Sequence, residues 1–231
     1  MAKVTLSVWK SFGLAIALAA AGASQASAQE PEGTAAEPLR IAVLADTSQS
    51  MELSINDMRQ ALRGFFREMG GSAEIALFEF GERPLRLVNY TRDPVLLEAG
   101  VQRLFARPGS GSYVLDAIVE ASQELGLRET GKSVIVVISG QGPEFSQRYH
   151  QTVLKDLRAS RATLHSIVLT RPRTPILRDD VRERELTLTE GASISGGRRE
   201  DLLTSMSLTK TLAGLARQLK SPQSVVHSRP E

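Results

Sequence analysis

Two short segments of the chain are apolar at every position instead of at alternate ones: Ile41 to Ala45 and Val134 to Ile138. Runs of this length without a polar face are the pattern of buried parallel strands, covered on both sides. Between and after them the spacing changes. Ile55, Met58, Leu62, Phe65, Phe66 and Met69 recur at steps of three and four, which predicts a helix with one apolar face, ended by Gly70-Gly71. Ala73 to Gly81 predicts a strand, Arg83-Pro84 a turn, and Leu85 to Tyr90 a second strand. So close a pair predicts a hairpin whose second member is an antiparallel edge.

Asp93 and Pro94 make an N-cap followed by proline at the first helical position, opening a helix through Leu97, Val101, Leu104 and Phe105. After the glycine-rich stretch Pro108 to Ser112, Leu115, Ile118, Val119 and Leu125 predict another helix. A helix over Gln147 to Ala159, a strand over Thr163 to Thr170, a charged helix over Val181 to Ile194 closed by Gly196-Gly197, and a last amphipathic helix through Leu208, Leu212, Leu215 and Leu219 complete the pattern. Strands that alternate with helices predict an α/β domain with a mostly parallel sheet.

The first residues belong to a different category. Lys3 and Lys10 form a positive start, Phe12 to Ala23 is apolar or small throughout, and Ala26-Ser27-Ala28 precedes the polar Gln29. These are the parts of a secretory signal peptide, and the apolar stretch falls short of the ~20 residues that a membrane span needs. The expected division is therefore 1–28 signal peptide, 29–38 flexible lead-in, 39–221 folded domain and 222–231 tail, with a periplasmic or secreted destination and no transmembrane segment after cleavage. Residues 1–28 hold two lysines and no acid, so the remainder carries 26 basic and 26 acidic residues. A formally neutral chain gives no reason to expect nucleic acid as a partner. Cysteine is absent from the sequence; an exported domain of this size buries enough surface without disulfides.

The candidate chemistry follows the first apolar run. Asp46, Ser48 and Ser50 stand at the C-terminal end of that strand, where ligands bind in open α/β sheets. A carboxylate with two hydroxyls is a hard-oxygen set, suited to Mg²⁺ or Mn²⁺ before zinc. The same residues also read as a helix N-cap.

Asp46-x-Ser48-x-Ser50 resembles the metal-ion-dependent adhesion site of von Willebrand factor type A domains, and three further segments extend the resemblance over nearly the whole chain after residue 38. Gly111-Ser112-Tyr113-Val114-Leu115-Asp116-Ala117-Ile118 is similar to the family's G-T-x-L-x-D-A-I, with Ser112 in the place of the threonine. Ser139-Gly140-Gln141 stands where the family has T-D-G, so its aspartate is missing; Gly140 most simply takes that place. Ser195-Gly196-Gly197-Arg198 resembles the T-G-G-R turn of the family's bacterial branch.

The resemblance implies a three-layer, Rossmann-like doubly wound sheet, mostly parallel with one antiparallel edge strand and helices on both faces. It implies Asp46, Ser48, Ser50 and Ser112 as the metal set for Mg²⁺ or Mn²⁺, with Asp116 bracing the loops and Gly140, Gln141 and Glu144 as third-loop positions around it. With one formal negative charge, such a site is left degenerate. The function implied is an exported protein-binding module that docks a partner's Asp or Glu at the C-terminal edge of the sheet, not an enzyme. The alternatives are a structural subunit with a vestigial metal site, or a metal-dependent hydrolase using Asp46. Against the hydrolase, Ser48 stands where aspartyl-phosphate phosphatases have a second acid. His150, His165 and His227 are scattered, with His165 read as a packed strand residue, and Arg171, Arg173, Arg198 and Arg199 read as solvated.

Overall fold

In the computed structural model, residues 38–128, 131–170 and 179–221 are described. The expected signal peptide, the lead-in before Pro38, the basic loop at 171–174 and the tail after Ser221 lie outside them. The described residues all fall in the compact unit that spans 36–231.

The chain runs β1 (Leu39–Ala45), a single 3-10 turn (Gln49–Met51), α1 (Ile55–Met69), β2 (Ala73–Glu79), β3 (Leu85–Thr91), α2 (Pro94–Gln102), α3 (Val114–Gly126), β4 (Lys132–Ser139), α4 (His150–Ser160), β5 (Thr163–Leu169), α5 (Asp179–Ile194), β6 (Arg199–Leu202) and α6 (Ser207–Lys220). The six strands form one sheet in the order β3-β2-β1-β4-β5-β6. All neighbours are parallel except β2 and β3, whose hairpin makes the antiparallel edge.

The two fully apolar runs occupy the centre. β1 pairs with β2 on one side and β4 on the other. Alternate side chains of a strand leave opposite faces, and each face meets its own helix layer. Ile41, Val43, Val134, Val136 and Ile138 pack with residues of α1, α2 and α6. Ala42, Leu44, Ile135 and Val137 pack with residues of α3, α4 and α5. Neither face is free for water, which is why no polar alternation shows in these strands. α1 inserts Phe65 fully into the first layer; cutting such a residue back to alanine costs about 3–5 kcal/mol. α2 starts as the sequence requires, with the Asp93 carboxylate accepting the Val95 N–H at 2.8 Å and Pro94 in the first turn.

Three readings of the sequence need correction. The helix expected from Gln147 begins at His150, and the one expected through Leu104 and Phe105 ends at Gln102, before both. Arg199 is not solvated: it opens β6, a four-residue edge strand paired with β5, and its guanidinium binds Glu185 and Asp201. β6 reads Arg-Glu-Asp-Leu and buries neither face fully, so no hydrophobic pattern announces it.

This topology fixes where a site can form. The chain winds outward in both directions from β1 and β4, so the loops after those two strands part at a switch point, leaving a crevice beyond their carboxyl ends.

Candidate functional site

Three loops meet at that crevice. The first follows β1. The Asp46 N–H continues the ladder to Ile138 at 2.9 Å, and the side chain is then fully buried. One carboxylate oxygen accepts the Ser48 N–H at 2.7 Å. The other accepts the Gly140 N–H at 2.9 Å and the Ser139 hydroxyl at 3.3 Å. Asp46 therefore ties its own loop to the one after β4. Burial pushes its carboxyl up from the ordinary value, while the Gly140 and Ser48 hydrogen bonds and the Arg184 guanidinium pull it back. Ser48, also buried, shares a hydroxyl–hydroxyl bond of 2.9 Å with Ser50, which stands half-buried at the rim.

The second loop, from α2 to α3, is laid over the first: Arg107 N–H donates to Thr47 at 2.8 Å and Gln49 N–H to Ser110 at 3.3 Å. It brings in Ser112, completely buried, whose hydroxyl makes no hydrogen bond although Glu144 lies beside it. Backbone bonds of 2.8 Å from Ser112 N–H to Pro143 and from Phe145 N–H to Ser112 join this loop to the third as a short parallel bridge.

The third loop follows β4. Gly140 occupies the position from which a side chain would enter the cluster, because a Cβ built there lies 2.4 Å from the Ser50 hydroxyl. Gly142 is equally close, its Cβ direction meeting Ser50 Cβ at 2.9 Å. Gln141 is half-exposed. Glu144 is buried and turns its carboxylate toward the start of α3, accepting the N–H groups of Ser146 at 3.1 Å and Val114 at 3.4 Å. It thus caps a helix whose N-cap residue, Tyr113, offers no side-chain bond. Burial pushes Glu144 up to about 7. Asp116 does not enter the hydroxyl cluster, but it braces the third loop against α3: its carboxylate pairs with Arg148 and its N–H donates to the Ser146 hydroxyl at 3.2 Å.

One participant went unnoticed in the sequence. Arg184 of α5 is 1% exposed. Its Nη1 donates to the Gly142 carbonyl at 2.5 Å, its Nη2 reaches Glu185 at 3.4 Å, and its Nε has no partner among the described residues. The signal that could have found it is the spacing on α5, where the buried Leu188, Gly191 and Ala192 project back at steps of three and four onto Arg184.

The donor set can be compared with what a divalent ion asks. Cis oxygens around Mg²⁺, at about 2.1 Å from the metal, stand about 3 Å apart; Ser48 and Ser50 meet that spacing, and the orphaned Ser112 hydroxyl is a donor in search of a partner. The charge does not match. Asp46 has both oxygens engaged, Glu144 beside Ser112 is committed to the start of α3, Gly140 brings no carboxylate, and the Arg184 guanidinium already acts on both acids. Among the described residues, no three Asp, Glu or His side chains stand together as a metal site. The residues present fit a divalent ion in spacing and not in charge.

A doubly wound sheet with a carboxylate–hydroxyl cluster at its switch point defines an open-edged α/β domain whose loops form the working surface. The von Willebrand factor type A domain profile matches residues 41–143, which run from within β1 to just past β4 and include Asp46, Ser48, Ser50, Ser112 and Gly140. The match spans 103 of the 231 residues, and the sheet order and helix layers described above are those of such a domain. An aerotolerance-related membrane protein from Bacteroides fragilis is similar over 78% of this chain and 99% of its own, at 16% identity and a TM-score of 0.60. The von Willebrand factor domain of the type V pili tip protein Mfa5 from Porphyromonas gingivalis is similar over 85% and 99%, at 12% identity and 0.63. The conserved hypothetical protein BatB from Bacteroides thetaiotaomicron is similar over 79% and 100%, at 15% identity and 0.60. At such identities the likeness establishes the fold alone. A comparison with curated protein sequences gave no match.

Proposed function

We propose that the chain is an exported protein-binding module that docks a protein partner at the C-terminal edge of its sheet, and that it is not an enzyme. The observation carrying this is the distribution of apolar surface. Of eleven large hydrophobic side chains exposed among the described residues, six (Leu53, Phe105, Phe145, Tyr149, Leu203 and Met206) stand on the loops at that edge. Exposed apolar groups collected on one rim mark interaction surfaces. A shallow cleft of about 280 Å³ opens beside one of them, Phe145, which meets Tyr113 edge-to-face on its wall. A pilus adhesin from Lactobacillus rhamnosus and a pilus tip protein share this fold, which agrees with an adhesive role.

Against an enzyme stands Asp46 itself. A nucleophile must reach its substrate, and this carboxylate is wholly buried with both oxygens bonded. No helix among the described residues is long and apolar enough to cross a membrane. The finer version of the reading has a partner Asp or Glu reaching the cluster through Mg²⁺ or Mn²⁺; the charge mismatch above weighs against it.

The test is a comparison of edges. Crosslinking in the exporting cell, followed by recovery of the chain, should capture a partner with wild type and with Leu127→Ser, which lies at the opposite end of the sheet. The pair Phe145→Ser and Tyr149→Ser should lose it at an unchanged melting temperature. A partner retained by the rim variant would remove the docking surface from this edge. The intact mass of the recovered chain should begin at Gln29; a product that keeps Met1 would end the export claim.

A further inference from the structure

Arg184 is the largest fully buried side chain among the described residues, and a charge in that position calls for a reason. α5 holds the third loop at successive turns. Asp180 accepts the Glu144 N–H at 3.4 Å, Glu183 accepts the His150 N–H at 2.7 Å and meets its ring at 2.8 Å, and Arg184 grips the Gly142 carbonyl. Only the last of these reaches the hydroxyl cluster, since Gly142 lies directly against Ser50 and close to Ser48. The two acids buried at the site, Asp46 and Glu144, both feel the guanidinium.

The third loop sets a glycine, not a second carboxylate, against the Ser50 hydroxyl, so the site carries little negative charge. The helix behind it presents a fixed positive one. A buried carboxylate without a compensating cation is costly, and a guanidinium answers that need permanently, being ionised at every pH the protein meets. It also brings the positive charge from inside, where a second one from an ion would be repelled.

We propose that Arg184 is the resident cation of this site: anchored on the Gly142 carbonyl, it supplies the positive charge that holds the first and third loops together around Asp46, so the site assembles without a divalent ion. Assembly of the site then does not depend on which partner docks, or on whether one does.

Two measurements on the exported chain test this without reference to a partner. The first follows the melting temperature of wild type in EDTA and in millimolar Mn²⁺ or Mg²⁺. A ligand that binds only the folded state must raise it; no shift is expected. A rise that Asp46→Asn abolishes would overturn the proposal, because it would place an ion in the cluster. The second is a double-mutant cycle. Arg184→Met keeps the aliphatic stem and deletes the charge, and Asp46→Asn deletes the opposite one. Each single variant should lose several degrees, and the double variant clearly less than the sum, since neither charge is then left without the other. Additive losses would show that Arg184 serves only as packing and would equally refute the assignment. Should Arg184→Met fail to fold, the metal titration of wild type still decides.

Discussion

Gly140→Ala is a small change with a calculable cost. The new methyl would stand 2.4 Å from Ser50 Oγ, 3.0 Å from Met51 Sδ and 3.2 Å from Ser50 Cβ. Contacts under 3 Å cannot persist, so Ser50 must rotate, and its bond with Ser48 is lost. That costs about 1 kcal/mol. Met51 is completely buried and cannot withdraw to solvent; displacing it adds about 1–2 kcal/mol of overpacking. A total of about 2–3 kcal/mol, at about 2–4 °C per kcal/mol for a domain of this size, lowers the melting temperature by roughly 5–10 °C. Thermal unfolding followed by circular dichroism reads this directly. Ser50→Ala removes the colliding oxygen, so the double variant should recover about half of the loss relative to additivity. An unchanged melting temperature in Gly140→Ala would show that the third loop does not lie against Ser50, and the register placing residue 140 in the cluster would fall. An aspartate at this position meets the same collision, so restoring the missing carboxylate would not by itself complete a metal site.

Two further outcomes are expected. His165, buried between strands with Lys132 and Arg198 in reach, is lowered to about 4 chiefly by burial. Its neutral form is favoured in the folded state, so its contribution is full above the unfolded value of 6.5 and is lost as pH falls through the folded one. Over that window the loss approaches about 3 kcal/mol, so His165→Gln should gain on wild type as the solution is acidified; parallel stability curves would refute the assignment. Gly197→Ala would place a methyl 1.8 Å from the Leu164 carbonyl oxygen, whereas Gly196, left-handed at φ 75°, has open space around its Cβ position. The first substitution should cost at least about 3 kcal/mol and the second about 1 kcal/mol; equal melting temperatures would mean that the turn does not abut β5.

Elements that bury themselves are written in the sequence. β1 and β4 show as unbroken apolar runs because both faces are covered, and α1 and α6 show as stripes because one face is. The three loops of the site are legible as well, since Asp46, Ser112 and Gly140 follow motifs of fixed spacing. What the sequence hides is whatever owes its place to a distant partner. Arg184 sits in a run of charges, Arg182 to Glu185, that reads as a solvated helix, and only the packing of α5 on the third loop turns that side chain inward. Glu144 reads as a spare ligand on a loop, yet its carboxylate is committed to the start of α3 across 30 residues of chain. β6 has the opposite difficulty: it is held by backbone bonds to β5 and has almost no side-chain signature.

That same edge strand limits how the molecule can be approached. An open edge exposes backbone donors and acceptors to any extended segment, and a crowded solution contains many. Here the offer spans four residues, three of them charged: Arg199, Glu200 and Asp201. A visiting strand would gain few backbone bonds and would have to desolvate ions to obtain them. The opposite edge, β3, is interrupted by register shifts in its pairing with β2. Both flanks are therefore poor templates for polymerisation, and a chain built this way can reach high concentration without growing into fibres through its sides.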